Sequence, residues 1–231
     1  MARYVSDANI VNFQYESGTY ASASGNAHWV GIVTESNVQT DTGVQQIRYV
    51  GGGTRNVDIH VDGPLNHDGT LSFHPQDWKS LMFALGSITD AGSPSPYLHT
   101  IKELNTTDGN QFTSGTLCPF ISFTVEDGKQ GANDGEDFVK TANGCMVDSW
   151  ELSGDEENPL EISMNYVAQS VTFTSGAPTA PTASTLRPFL WRDVKVHVPS
   201  GTVINETRSM SLSVNTTWIV TGKHSELHSS Y

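Results

Sequence analysis

With 231 residues, 12 Lys+Arg against 25 Asp+Glu and a net charge of −13, the chain lacks the basic footprint of a phosphate-gripping nucleic-acid binder. It is lightly charged, at 16%, and Ser and Thr, roughly a fifth of the residues, do the solubilising, a composition that favours strands. No apolar run approaches the ~18–20 residues of a membrane span and residues 1–7 show no basic-then-apolar leader pattern, so neither a membrane role nor classical secretion is expected.

In chain order, residues 28–35 and 44–50 read as two strands flanking a polar loop at 36–43. Residues 51–55 are glycine-rich, but no Lys or helix follows them, so they read as a tight turn rather than a phosphate loop. Residues 55–62 alternate, with Val57, Ile59 and Val61 against Asn56, Asp58, His60 and Asp62. His60, His67 and His74 recur at a seven-residue step, which in strands and turns does not bring side chains together, so they read as polar-face residues. One helix is predicted, over about 75–86: Pro75 sits in its first turn, Gly86 ends it, and Trp78, Leu81, Met82 and Leu85 form one apolar stripe.

Further along, Cys118 and Cys145 lack zinc or disulfide-framework spacing and read as free thiols. Residues 127–137 are acidic and Gly-rich without the order of an EF-hand loop. Residues 146–152 and 160–166 form a hairpin around the acidic turn 154–159, with Leu160, Ile162, Met164 and Tyr166 alternating with Glu161, Ser163 and Asn165. Residues 175–185, rich in Pro, Ala and Thr, read as a long surface loop. Strands are expected again at 194–198 and 210–214. The whole, residues 1–231, is expected to be a single mainly β domain, an antiparallel sandwich or barrel with one short α-helix and long loops at about 36–43, 127–137 and 175–185.

Chemistry is sparse. No nucleophile elbow, phosphate loop or HExxH motif occurs, and no carboxylate pair stands beside an aromatic-lined sugar cleft. No enzyme, cofactor or metal site is expected. Tyr97, Trp191 and Trp218 leave a carbohydrate-binding or adhesin-like β-sandwich as an alternative.

Four stretches carry a family resemblance: residues 18–33, residues 69–81 where a strand runs into the helix, residues 138–152 followed by 160–168, and residues 210–215. Through them the chain resembles the major tail tube proteins of tailed phages or archaeal tailed viruses, in the tail-tube and injection-tube superfamily. That resemblance implies a structural virion protein whose hexameric rings stack into a hollow tube, through which double-stranded DNA passes without specific binding. It implies contacts with itself and with other tail proteins (tape measure, tail terminator, baseplate or tip), and assembly in the host cytoplasm. A terminator or the tube of a contractile injection apparatus are alternatives within the same group. A bore strand must be polar on one side only, which on this chain suggests Asp148, Glu151, Glu161, Ser163 and Asn165, with Gln46 and Arg48 on a second hairpin. Arg48 departs from a cation-poor bore and would need a partner carboxylate. Residues 35–43 are the candidate for the superfamily's ordering loop, and residues 175–185 for a second contact with a neighbouring ring or the outer surface.

Overall fold

Strand-forming alternation, read from the N-terminus, becomes a series of antiparallel strands in the computed structural model. The structure describes residues 4–16, 20–23, 25–47, 59–61, 63–91, 98–103, 122–131, 137–197, 203–204 and 208–216. The strands are β1 (Tyr4–Tyr15), β2 (Ile32–Asp41), β3 (Gln45–Ile47), β4 (Ile59–Val61) and β5 (Asn66–His74). Helix α1 (Leu81–Leu85) precedes β6 (Gly86–Ala91), β7 (Leu98–Glu103) and β8 (Phe123–Gly131). Then come β9 (Phe138–Asp155), β10 (Glu161–Val167), β11 (Ser170–Ser175), β12 (Val196–His197), β13 (Val203–Ile204) and β14 (Ser209–Asn215).

The spine is β9, 18 residues long. Its first half pairs with β8 and β11, and its second half with β10 and β14. The main sheet runs β1-β8-β9-β10-β5-β2 and curls into a half-barrel. The curl brings β2 against β8 and β9: Ser36 Oγ on β2 donates to Asp127 Oδ2 on β8 at 3.1 Å, and Lys140 Nζ on β9 donates to the Val38 carbonyl at 3.4 Å. The acidic turn between β9 and β10 is organised by one carboxylate, Asp155 Oδ1 accepting the backbone N–H of both Glu157 and Asn158 at 2.9 Å.

Period-2 alternation sends one side of each strand into a shared core: Phe13, Leu71, Phe73, Phe123, Val125, Trp150, Leu152, Ile162, Met164 and Tyr166 are all buried. Phe83 of α1 fills its centre, with ring centroids 4.6 Å from Phe123, 5.5 Å from Phe13 and 5.7 Å from Tyr15. Within the predicted helical span, α geometry is confined to Leu81–Leu85. The preceding turns are tight, with i→i+3 bonds from Leu81, Met82 and Phe83 to Trp78, Lys79 and Ser80. Burial therefore follows Met82, Phe83 and Ala84 rather than a single stripe, and Trp78 remains 41% exposed. Gly86 ends the helix in the left-handed region, its N–H bonded to the Met82 carbonyl.

Three loop expectations are corrected or sharpened. Residues 36–41 are strand, paired with β5 as far as Asp41↔Asn66, so the loop at 36–43 shrinks to its last two residues. Val38 is the reason: it is 4% exposed and faces the core between flanking polar residues on both sides. Of residues 127–137, Asp127 to Gly131 complete β8, and 132–136 lie outside the described residues. Residues 176–185 have no regular structure but lie across the outer face of β1 and β8. Pro178 is buried against Gly128, and Asn12 Nδ2 donates to the Thr179 carbonyl at 2.6 Å. Of the strand expected at 194–198, Val196–His197 form β12, paired with β13, and residue 198 lies outside the described residues. Of the strands expected at 44–50 and 55–62, β3 and β4 are described; residues 48–58, with the glycine turn, lie outside.

Candidate functional site

The side of the sheet turned away from the core is a continuous polar face. Across β14, β9, β10, β5 and β2 the register aligns Ser213, Glu151, Ser163, Ser72 and Glu35 in one row. The next row is Asn215, Ser149, Asn165, Thr70 and Asn37. Neighbouring strands are stitched through these side chains. Ser211 Oγ donates to Glu151 Oε1 at 2.8 Å, Asn165 Nδ2 to Ser149 Oγ at 2.8 Å, and Thr70 Oγ1 to Asn165 Oδ1 at 2.9 Å. Ser72 Oγ meets Ser163 Oγ at 3.2 Å, and Thr34 Oγ1 donates to Glu161 Oε1 at 3.0 Å.

Electrostatically the face is one-sided. The sequences of β2, β5, β10 and β14 contain no Lys or Arg. The single cation of β9, Lys140, lies in its first half and points its amine at Val38. Glu35, Glu151 and Glu161 give the face negative charge. At its hairpin end the Asn158 side chain, with the backbone N–H groups of Glu157 and Asn158, holds the Asp155 carboxyl below its ordinary value.

Sequence reasoning placed Glu151, Glu161, Ser163 and Asn165 on one face, and these four lie together in adjacent rows. Asp148 is different: it is the extra residue of a β-bulge, since Asn165 and Tyr166 pair with Ser149 and Val147. Gln46 lies in β3 opposite His60, and Arg48 lies outside the described residues. Sequence reasoning missed Ser149, Thr70, Ser72, Glu35 and Asn37. Of the other candidates, His67 Nδ1 bonds Thr40 Oγ1 and His74 Nδ1 bonds the Leu160 carbonyl, each at 3.0 Å. Cys145 is buried and free, its thiol pushed well up by burial. Among the described residues no group of three His, Cys, Asp or Glu could hold a metal ion, and no helix is long and apolar enough to cross a membrane. Trp191 packs partly on the core, while Tyr97 and Trp218 lie outside the described residues.

This face of the sheet is polar, and the strands β2, β5, β10 and β14 that help form it carry no Lys or Arg. The chain belongs to the phage tail tube protein family, whose model matches residues 15–218. Its role is structural: it is a tube-building component of a virus tail. Among solved structures it is similar to the SPP1 tail tube determined by solid-state NMR and cryo-EM, at 11% identity, 76% of this chain, 81% of that chain and a TM-score of 0.47. It is also similar to a chain in the baseplate of the anti-feeding prophage, at 13% identity, 76% of this chain, 97% of that one and a TM-score of 0.43. A third is a chain in the sheath–tube complex of an extracellular contractile injection system in its extended state, at 7% identity, 72% and 89% coverage and a TM-score of 0.41. No curated protein matches the sequence.

Proposed function

We propose that this chain closes into hexameric rings whose stacked bores, lined by the polar face of β14, β9, β10, β5 and β2, pass double-stranded DNA during ejection. The observation that carries the proposal is the absence of Lys and Arg from that face where the strands pair, in the presence of three carboxylates. A cationic bore would release counterions from the passing phosphates and hold them; an acidic, hydroxyl-rich bore repels them. Two further features support a ring. Among the described strands, β2 pairs only with β5 and β14 only with β9, so the sheet has an unpaired edge on either side. On the core side of β14, Leu212 is 49% exposed opposite buried Leu152, as expected of a residue that a neighbouring subunit would cover. The residues assigned to the bore are therefore Glu151, Glu161, Ser163 and Asn165, with Asp148 at its bulge, and no catalytic role is assigned. The chain would meet other tail proteins at the tube's two ends and assemble in the host cytoplasm.

Negative-stain electron microscopy over a concentration series tests the ring. Holed rings or tubes are expected, and in them an Asn165→Cys variant in a Cys118→Ser background should react with a small maleimide but resist one carrying a bulky polymer. Monomers at every concentration, with the cysteine open to both reagents, would refute the reading. The same face would suit the tube of a contractile injection apparatus, since the family match does not depend on cargo.

A further inference from the structure

Asn143–Gly144 is the one Asn-Gly step in the chain. Such steps are chemically fragile, because glycine has no Cβ to hinder its own nitrogen. That nitrogen loses its proton and attacks the asparagine Cγ, ammonia leaves, and the cyclic succinimide takes up water to give aspartate or isoaspartate. Isoaspartate would insert a methylene into the backbone of β9 where the strand changes partners. Asn143 pairs with Ser170, its carbonyl accepts the Gln169 N–H at 2.9 Å, and Cys145 pairs with Phe123. The inserted carbon would set the pairings on one side of it out of register with those on the other.

The fold grips this peptide unit from residues just beyond β1. Gly144 N–H donates to Glu16 Oε1 at 2.7 Å, and Tyr20 Oη donates to the Gly144 carbonyl at 3.1 Å. Glu16 is itself held: Thr124 Oγ1 donates to the same Oε1 at 2.7 Å, and the Ala21 N–H donates to Oε2 at 2.8 Å. Ala21 has φ 59, the only non-glycine residue in the left-handed region among the described residues, so the backbone takes a strained bend where it supplies that N–H. Thr124 Oγ1 also lies 3.5 Å from Asn143 Oδ1, but its one proton goes to the shorter, charge-assisted contact. Asn143 is partly exposed, so burial alone does not keep water from it.

We propose that Asn143–Gly144 is a modification site held unreacted by Glu16, whose carboxylate binds the proton that the attacking nitrogen must lose. A carboxylate is far too weak a base to take an amide proton, and its negative charge opposes the amide anion on which attack depends. The same bond, with Tyr20 at the other end, fixes the Gly144 peptide plane, so its nitrogen does not swing towards the Asn143 side chain. A component of a virus tail is not renewed after assembly, and an unguarded step in its longest strand would age with the particle.

The test is peptide mapping by mass spectrometry of folded protein stored at neutral pH, with an isoaspartate assay on the same samples. In the parent Asn143 should stay intact, while the urea-unfolded chain converts it readily. Glu16→Gln keeps an acceptor for Gly144 but removes the charge. It should convert Asn143 about tenfold faster than the parent, the difference between a charged and a neutral acceptor. Glu16→Asp keeps the charge on a shorter arm; it should fall between the two, and it decides the matter if the amide variant does not fold. Gly69→Ala, on a strand that does not pair with Asn143, should convert at the parental rate, which separates the guard from general loosening. The proposal is overturned if the folded parent loses Asn143 as fast as the unfolded chain. It is equally overturned if folded Glu16 variants react no faster than the parent, or no faster than Gly69→Ala.

Discussion

Asp127 lies on the core-facing side of β8, where burial raises its carboxyl above the ordinary 3.8, opposed by the Ser36 hydrogen bond and by Lys129 and Lys140. A carboxyl raised on folding binds more protons in the folded than in the unfolded chain between 3.8 and its raised value. Stability therefore increases as pH falls through that window and is lowest above it. Asp127→Asn keeps an acceptor for Ser36 and removes the charge, so its Tm should exceed that of the parent at neutral pH. The difference should shrink as pH falls towards 3.8; thermal melts of both proteins across the pH range check this, and a difference independent of pH would contradict it. Gly69 is constrained by space instead. A Cβ there would lie 2.3 Å from the Tyr166 ring and 2.7 Å from the Asn37 carbonyl oxygen. One contact is backbone, so neither rotamer change nor a small shift relieves both. Gly69→Ala should cost about 1–3 kcal/mol in urea titrations, with an unchanged slope.

Among the elements, β9 carries the organisation, because one strand serves two sets of partners. The change of partners falls at Gly144, which has φ 65 and whose Cβ would lie 3.0 Å from both Gln169 and Tyr20. Gly144→Ala should destabilise by about 1–2 kcal/mol from the left-handed backbone alone, measurable by denaturant unfolding. The half of the hairpin beyond this point was legible from sequence, since Leu160, Ile162, Met164 and Tyr166 alternate with polar residues and are or border the core. The second half of β2 was not. Ser36 and Val38 face inward while Asn37 and Gln39 face outward, so three of four residues are polar and the period is hidden. Ser36 is tolerated inside only because Asp127, remote in sequence, accepts its hydroxyl. The same reason limited the site. Glu161, Ser163 and Asn165 can be assigned to one side locally, but Thr70, Ser72 and Glu35 join them only through register, which is set by long-range pairing. Residues 176–185 look identical in composition whether free or packed; only the bare Gly128 backbone under Pro178 decides.

At the scale of the whole molecule, a net charge of −13 is unevenly used, and the distribution matters more than the sum. The cations Arg187, Arg192 and Lys195 cluster within residues 187–195, whereas β2, β5, β10 and β14 have none. Glu151 is exposed on β9 opposite Ser163, and Glu161 is opposite Ser153, so both carboxylates lie on the proposed bore face without a counter-charge. Reversing them directly tests whether that face is kept free of cations for the sake of DNA. A Glu151→Lys/Glu161→Lys variant should retain the fold, because neither carboxylate is buried and each loses one hydroxyl hydrogen bond. On a short DNA duplex the unassembled variant should bind weakly, its log K falling with log salt at about −0.9 per phosphate contacted, while the parent shows no binding. In assembled tubes the same pair should slow the passage of duplex DNA at low salt and release it at high salt. A variant that assembles, acquires the added charges and still passes DNA at the parental rate at low salt would show that bore charge does not govern transit, and the acidic face would then need another explanation.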